Sequence, residues 1–205
     1  MGLNSDQLKE GLDAVAAREP GIARALERVG YPEQRIRPTG YQTLLRTIVG
    51  QQVSVAAAAS VWSKLEAEIG ADMHAHELLA RDFDALRACG LSRQKQGYAR
   101  SLCELVVAEE LNFDALPQDD EEAITQLTRI KGIGRWSAEI YLLFAEGRPD
   151  IWPAGDLAVQ AGLAKLLDLA ERPDEKATRA LAEGWSPHRG AAAIFTWHCY
   201  NNPAL

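Results

Sequence analysis

Lys131-Gly132-Ile133-Gly134-Arg135 is a stretch suited to meet an anion. A run that reads as helix ends at Lys131, because glycine favours positive φ and weakens a helix. A second apolar-periodic run begins at once with Trp136, Ile140, Tyr141 and Phe144. Two helices joined by so short a glycine-bearing link make a helical hairpin. The second helix starts with backbone N–H groups that lack an intrahelical acceptor, at the positive end of a helix dipole, and that end attracts phosphate. Ile133 can plug the hairpin core while the glycines let a phosphate approach, with Lys131 and Arg135 adding positive charge. A plain helix C-cap followed by a new helix accounts for the same residues without a ligand.

Asp156 is the candidate carboxylate. It stands 20 residues after Trp136, behind Pro153-Ala154-Gly155, at a helix start. Taken alone, an Asp in that place is an N-cap. Trp136 and Trp197 are candidates to line a pocket, since electron-rich indole faces attract cations. A Trp at helical spacing is equally at home in a core, which is the expectation for Trp62 and Trp185. Tyr41 and Trp152 are further aromatic candidates. Gln51-Gln52 falls at a helix–helix turn and on residue type alone is a surface cap. Arg93 and Lys95 after Gly90 are either phosphate contacts or solvated cations. His74 and His76 have no third ligand nearby, and His188 and His198 stand ten apart, so no catalytic metal is expected.

The bulk composition bounds these readings. A chain of 205 residues, 47% hydrophobic and 25% charged, can bury a sizeable core as one domain or two packed lobes. Its longest apolar runs fall far short of a membrane span, and the first residues lack the basic-then-apolar order of a signal peptide. Cys89, Cys103 and Cys199 are widely spaced and odd in number, which fits reduced thiols better than a disulfide frame or a metal site. Net charge is −7, from 22 basic and 29 acidic residues. That argues against a general polyanion binder, so any nucleic-acid contact must be local.

The elements that must position these residues are all helical. Residues 5–18 and 21–29 read as two short helices broken at Pro20-Gly21, and 31–40 as an irregular crossing. Tyr41, Leu44, Leu45, Ile48 and Val49 recur at helical spacing and form one buried face that ends at Gly50. Ser54 caps the next helix, whose spacing buries Val55, Ala58, Ala59, Trp62, Leu65 and Ile69. Short helices follow at 76–80 and 82–89. A longer one covers 93–110, with Ser92 as cap and Tyr98, Leu102, Leu105 and Val106 inward. Asp119 to Glu122 open the first hairpin helix, where negative charge suits the dipole. Helices at 157–169, 174–184 and 188–201 close the chain, with Ser186-Pro187 as an N-cap and first-turn pair. There is no sustained strand alternation and no internal repeat, so the expected class is all-α.

Residues 127–138, Leu-Thr-Arg-Ile-Lys-Gly-Ile-Gly-Arg-Trp-Ser-Ala, resemble the helix-hairpin-helix of the HhH-GPD DNA glycosylase superfamily, in its AlkA-like 3-methyladenine glycosylase II branch. The resemblance runs through most of residues 40–200. It implies two helical lobes with an active-site cleft between them: residues 1–39 with 146–205, and residues 40–145, the latter holding the hairpin at about 122–145. Without strands near its start, the chain resembles the minimal helical members. Trp-Pro-Ala-Gly-Asp-Leu-Ala-Val-Gln, residues 152–160, resembles the family segment whose Asp is the catalytic carboxylate, which assigns that role to Asp156. Cleaving a base from deoxyribose develops positive charge on the sugar, and a nearby carboxylate stabilises it and orients or deprotonates the attacking water. An alkylated purine is already cationic, so one carboxylate suffices.

The same resemblance places Trp136 and Trp197 in the base pocket, for which Tyr41 and Trp152 are further candidates, and makes Gln52 the wedge that fills the gap left by a flipped nucleotide. Gln51, Gln52, Lys131, Gly132, Ile133, Gly134 and Arg135 become the DNA-binding set. Trp136 occupies the position of the nucleophilic lysine of bifunctional members, so no Schiff base and no lyase activity are expected. The four-cysteine iron–sulfur loop is absent, and no cofactor is expected beyond a Na+ or K+ held by the carbonyls of Thr128, Ile130 and Ile133. The expected partner is double-stranded DNA with a damaged base, met by a monomer in the cytoplasm and nucleoid, with no membrane involved. The implied function is monofunctional hydrolysis of alkylated purines in base excision repair. The same fold acting on uracil, hypoxanthine or an oxidised base is one alternative, and a non-catalytic DNA-binding module is another.

Overall fold

The computed structural model describes residues 2–202, and among them every regular element is a helix. The chain divides into two units. One comprises the residues up to Arg37 together with those from Glu139 onward, and the other is Pro38–Ala138.

In the unit formed by the two ends of the chain, α1 (Ser5–Ala16) and α2 (Pro20–Val29) precede α10 (Leu157–Leu166), α11 (Glu175–Leu181) and α12 (Arg189–Tyr200). Asn4 starts α1 with a full capping box, its side chain accepting from Gln7 N while the Gln7 side chain accepts from Asn4 N. Pro20 does not break the chain as the sequence led us to expect. It is the first residue of α2, where its fixed φ suits a helix and its missing N–H has no role. Leu8, Leu12, Val15, Ile22, Val159, Leu163 and Phe195 are buried. α12 packs against both α10 and α1. The approach to α10 is close enough that a Cβ on Gly162 would stand 2.7 Å from the Thr196 carbonyl.

In the other unit, α3 (Tyr41–Gly50) packs on α4 (Val55–Ile69) and α7 (Arg93–Val107), and α5 (Ala75–Ala80) and α6 (Phe83–Ala88) pack on α7. The Leu44, Leu45 and Ile48 face of α3 is buried as its spacing requires. α4 differs from expectation. Trp62, Leu65 and Ile69 are buried, but Val55 is 88% exposed and Ala59 is exposed too. Apolar periodicity marks a face, but at Val55 and Ala59 this one meets solvent, while Ala58 is half-buried. α7 stops at Val107, three residues early, and Glu109 turns the chain with φ +56°. Leu102 is buried, while Leu105 and Val106 are half-buried. α8 (Asp120–Leu127) begins at the Asp119 cap, whose carboxylate accepts from Glu122 N.

α9 (Arg135–Tyr141) leads into a π-helical turn, Leu142–Glu146, closed by Gly147 in the left-handed conformation. Leu142 through Ala145 are all buried. Ser186 is not the cap of α12, which starts from His188 without a side-chain cap. Its Oγ donates to Asp150 Oδ2 at 2.7 Å, and Asp150 also accepts from the N–H and guanidinium of Arg189. A carboxylate 39 residues away in sequence thus meets the first turn of α12. The three cysteines are free and buried, and burial pushes the thiols of Cys103 and Cys199 up to about 12. No described helix is long and apolar enough to cross a membrane.

Candidate active site and nucleic-acid interface

Asp156 caps α10. Its Oδ1 accepts from Ala158 N at 2.8 Å and Val159 N at 3.0 Å, satisfying two N–H groups that the helix leaves over. The Trp197 indole N–H donates to the same oxygen at 3.2 Å. Asp156 is half-buried, between exposed Gly155 and Leu157. One carboxylate oxygen is therefore held by three donors from two helices, at the edge of solvent. The arrangement serves as a cap and also presents a fixed negative charge beside an indole.

Trp197 is half-buried and is itself supported. Its ring lies 5.6 Å from that of Phe144, tilted by 31°. The Arg37 guanidinium stands over the Phe144 ring at 5.5 Å, and the Arg37 N–H donates to the Phe144 carbonyl at 2.8 Å. Burial, with Arg35 adding repulsion, holds the Arg37 guanidinium below its ordinary range. Phe144 carried no signal in the sequence beyond its place on an apolar face.

Trp152 is turned elsewhere. It is 3% exposed, its indole N–H donates to the Thr178 carbonyl at 3.0 Å, and it meets Trp185 edge-on with ring centroids 5.6 Å apart. These are the surroundings of a core residue. Trp62 and Trp185 are buried, as expected of core tryptophans. Tyr41, at the start of α3, is half-buried, and its hydroxyl is enclosed without a protein partner. Burial, with Cys103 nearby, pushes that hydroxyl well above the usual tyrosine range.

At the hairpin, Ile133 is buried while Lys131, Gly132 and Gly134 are exposed. Gly132 has φ +81°, and a Cβ there would overlap the Tyr98 ring, so this position requires glycine. Gly134 has open space around it. Among the described residues, neither the Gly132 nor the Gly134 N–H donates a hydrogen bond to the protein. Arg135 is engaged by Glu121 of α8 in a two-point ion pair, which offsets part of the charge expected there. Trp136 is 47% exposed.

The Ile130 carbonyl accepts from Ile133 N at 3.0 Å, and among the described residues no hydrogen bond reaches the carbonyls of Thr128 or Ile133. Backbone oxygens with lone pairs to spare fit a hard monovalent cation, which would add positive charge beside a phosphate. No described cluster of His, Cys, Asp or Glu could hold a metal ion.

Gln52 is exposed, with φ +54°. The Gln51 side chain instead donates to the Gly132 carbonyl at 2.9 Å, a contact that sequence spacing gives no means of finding. Lys95 donates to the Val49 carbonyl at 2.7 Å, and burial lowers its ammonium below the usual lysine value. Arg93 stands 6.0 Å over the Phe83 ring.

Known proteins resemble this chain along most of its length. It is 32% identical over 161 residues to DNA-3-methyladenine glycosylase 1 of Schizosaccharomyces pombe, a match spanning 77% of this chain and 71% of that one. A solved DNA-3-methyladenine glycosidase from Bacillus halodurans superposes with a TM-score of 0.86 at 29% identity, covering 94% of this chain and 89% of the other. A 3-methyladenine DNA glycosylase of S. pombe solved with abasic DNA gives 0.80 at 28% identity, covering 96% and 98%. The family described as HhH-GPD superfamily base excision DNA repair protein matches residues 45–187, which include the hairpin and Asp156. The chain belongs to the HhH-GPD DNA glycosylase superfamily.

Proposed function

We propose that this protein is a monofunctional glycosylase that removes alkylated purines, of the 3-methyladenine and 7-methylguanine kind, from double-stranded DNA. The observation that carries the reading is the Asp156 carboxylate, fixed through one oxygen by Ala158 N, Val159 N and the Trp197 indole. The names of the relatives above support the lesion class. The peptide N–H groups of Gly132 and Gly134 would take a backbone phosphate, and Gln52 would fill the place of the extruded nucleotide. Trp136 and Trp197 offer indole faces to the base.

The C1′–N bond breaks with its electron pair leaving on the purine, which neutralises the positive charge of an alkylated base. The negative charge of Asp156 stabilises the cation growing on the sugar. Water adds its oxygen to C1′ and gives its proton to the carboxylate, which passes it to solvent. With Trp136 where a lyase carries its amine, the product is an abasic site in an intact strand.

The test is a panel of duplexes carrying 3-methyladenine, 7-methylguanine, 1-methyladenine, hypoxanthine or uracil. Free base is measured by chromatography, and strand scission is measured before and after alkali. Release of the first two bases, with scission only after alkali, is the expected result. Scission without alkali would overturn monofunctionality. Release confined to uracil or hypoxanthine would overturn the lesion class. No release from any duplex would leave a DNA-binding module.

A further inference from the structure

Two turns of the Pro38–Ala138 unit are joined side chain to backbone. The turn after α3 carries Gln51 as the C-cap, Gln52 at φ +54° and Ser54 as the cap of α4. The hairpin turn carries Gly132. Gln51 Nε2 donates to the Gly132 carbonyl across 81 residues of sequence. The N–H of that same peptide unit, belonging to Ile133, donates to the Ile130 carbonyl. This peptide is therefore gripped at both ends and cannot rotate without breaking two hydrogen bonds.

A single face of α7 lies under both turns. Lys95, Tyr98 and Ser101 are spaced three apart, so they stack along one side of the helix. Lys95 Nζ donates to the Val49 carbonyl at the end of α3. The Tyr98 ring fills the space beneath Gly132. Ser101 Oγ accepts from Lys131 N at 3.2 Å. One contact goes to the first turn and two go to the second. Gln52, a non-glycine residue in left-handed backbone, takes an uncommon conformation next to Gln51. With its amide committed to Gly132, Gln51 is not the side chain left to read DNA; exposed Gln52 is.

We infer that Gln51, with the Lys95-Tyr98-Ser101 face of α7, is a positioning residue that locks the hairpin turn and the Gln52 turn into one element. A phosphate seated at Gly132-Ile133-Gly134 then fixes where Gln52 stands in the duplex. This deepens the reading above and rests on it for the DNA step, but the lock itself exists in the free protein.

The test uses Gln51→Leu, which keeps a branched side chain one bond shorter and removes the donor, Gln52→Ala, the double variant, and Lys95→Met as an independent break of the frame. In the free protein, amide hydrogen exchange at Lys131 and Ile133, the hydrogen-bonded amides of the turn, should speed up in Gln51→Leu. Unchanged exchange there overturns the lock whatever the protein does with DNA. Unstacking is read with a duplex holding an abasic-site analogue opposite 2-aminopurine. Gln51→Leu should weaken binding about 5-fold, the fold-change of one ordinary hydrogen bond, and lower the fluorescence rise. In the Gln52→Ala background the same change should have little further effect, because Gln51 acts through Gln52. Lys95→Met should weaken binding in the same non-additive way. Fully additive losses would overturn the proposal and make Gln51 a direct DNA contact. Wild type that fails to bind the duplex, with exchange responding as expected, would sink the functional reading and leave the lock standing.

Discussion

Replacing Asp156 separates its two roles. In Asp156→Asn the amide oxygen can accept the same three hydrogen bonds, from Ala158 N, Val159 N and the Trp197 indole. Asn ranks with Asp as an N-cap, so the stability change should stay within about 0.5 kcal/mol. Asp156→Ala removes the one oxygen that accepts all three. The lost cap costs about 1 kcal/mol, and the Trp197 N–H, half-buried and left without this acceptor, adds about 1 kcal/mol more. For a chain of this size about 2 kcal/mol lowers Tm by roughly 4–8 °C. Catalysis should separate the variants differently. Both lose the negative charge that the proposed mechanism sets against the sugar cation, and loss of such a preorganised electrostatic group slows the step by about 100- to 1,000-fold. The assay is single-turnover base release from methylated duplex with protein in excess, read beside a thermal melt. Asn release at the wild-type rate would refute the catalytic assignment. An Asn variant that melts as early as the Ala variant would refute the capping geometry.

Three further outcomes follow from the same coordinates. Gly134→Ala meets nothing within 4 Å and should leave Tm unchanged while weakening DNA binding. Gly132→Ala forces a left-handed backbone and a clash with Tyr98, and should lower Tm as well; melts and binding isotherms distinguish the two. Trp152→Ala should cost about 3–5 kcal/mol in urea unfolding, because its ring and N–H are enclosed, whereas Trp136→Ala should cost less than about 1 kcal/mol yet slow base release. Burial raises the Asp150 carboxyl, but hydrogen bonds from Arg189 and Ser186 outweigh it and hold the group below the usual range. A carboxyl lowered on folding stabilises the fold above the unfolded pKa of about 3.9 and loses that contribution as pH falls through its lower folded value. The Tm gap between wild type and Asp150→Asn should therefore be full at pH 7 and narrow below about pH 4.

What the sequence disclosed was mostly local. Ser54, Ser92 and Asp156 all cap the helices they precede, because a cap is a bond between a side chain and a backbone two or three residues away. The α3 face was equally legible, since both its neighbours come from the same unit. Val55 and Ala59 follow the same arithmetic, but burial depends on what lies opposite, and spacing does not carry that. The cap of α12 eluded the sequence for a related reason: Ser186-Pro187 has the local grammar of a helix start, yet the group that meets Arg189 is Asp150. At the candidate site, Asp156 and Trp197 could be named in advance, but their shared hydrogen bond spans 41 residues. The Gln51 contact spans 81, and no periodicity reaches that far.

Phe144 lies inside the π-helical turn at Leu142–Glu146. A π-turn carries one more residue per turn than an α-helix, so side chains beyond it are displaced by about 100° around the axis. Phe144 supports Trp197, and Trp197 holds Asp156. Deleting one residue from this bulge would tidy the helix and swing the aromatic prop away from the indole. The irregularity thus belongs to the aromatic support on which the carboxylate's indole partner rests.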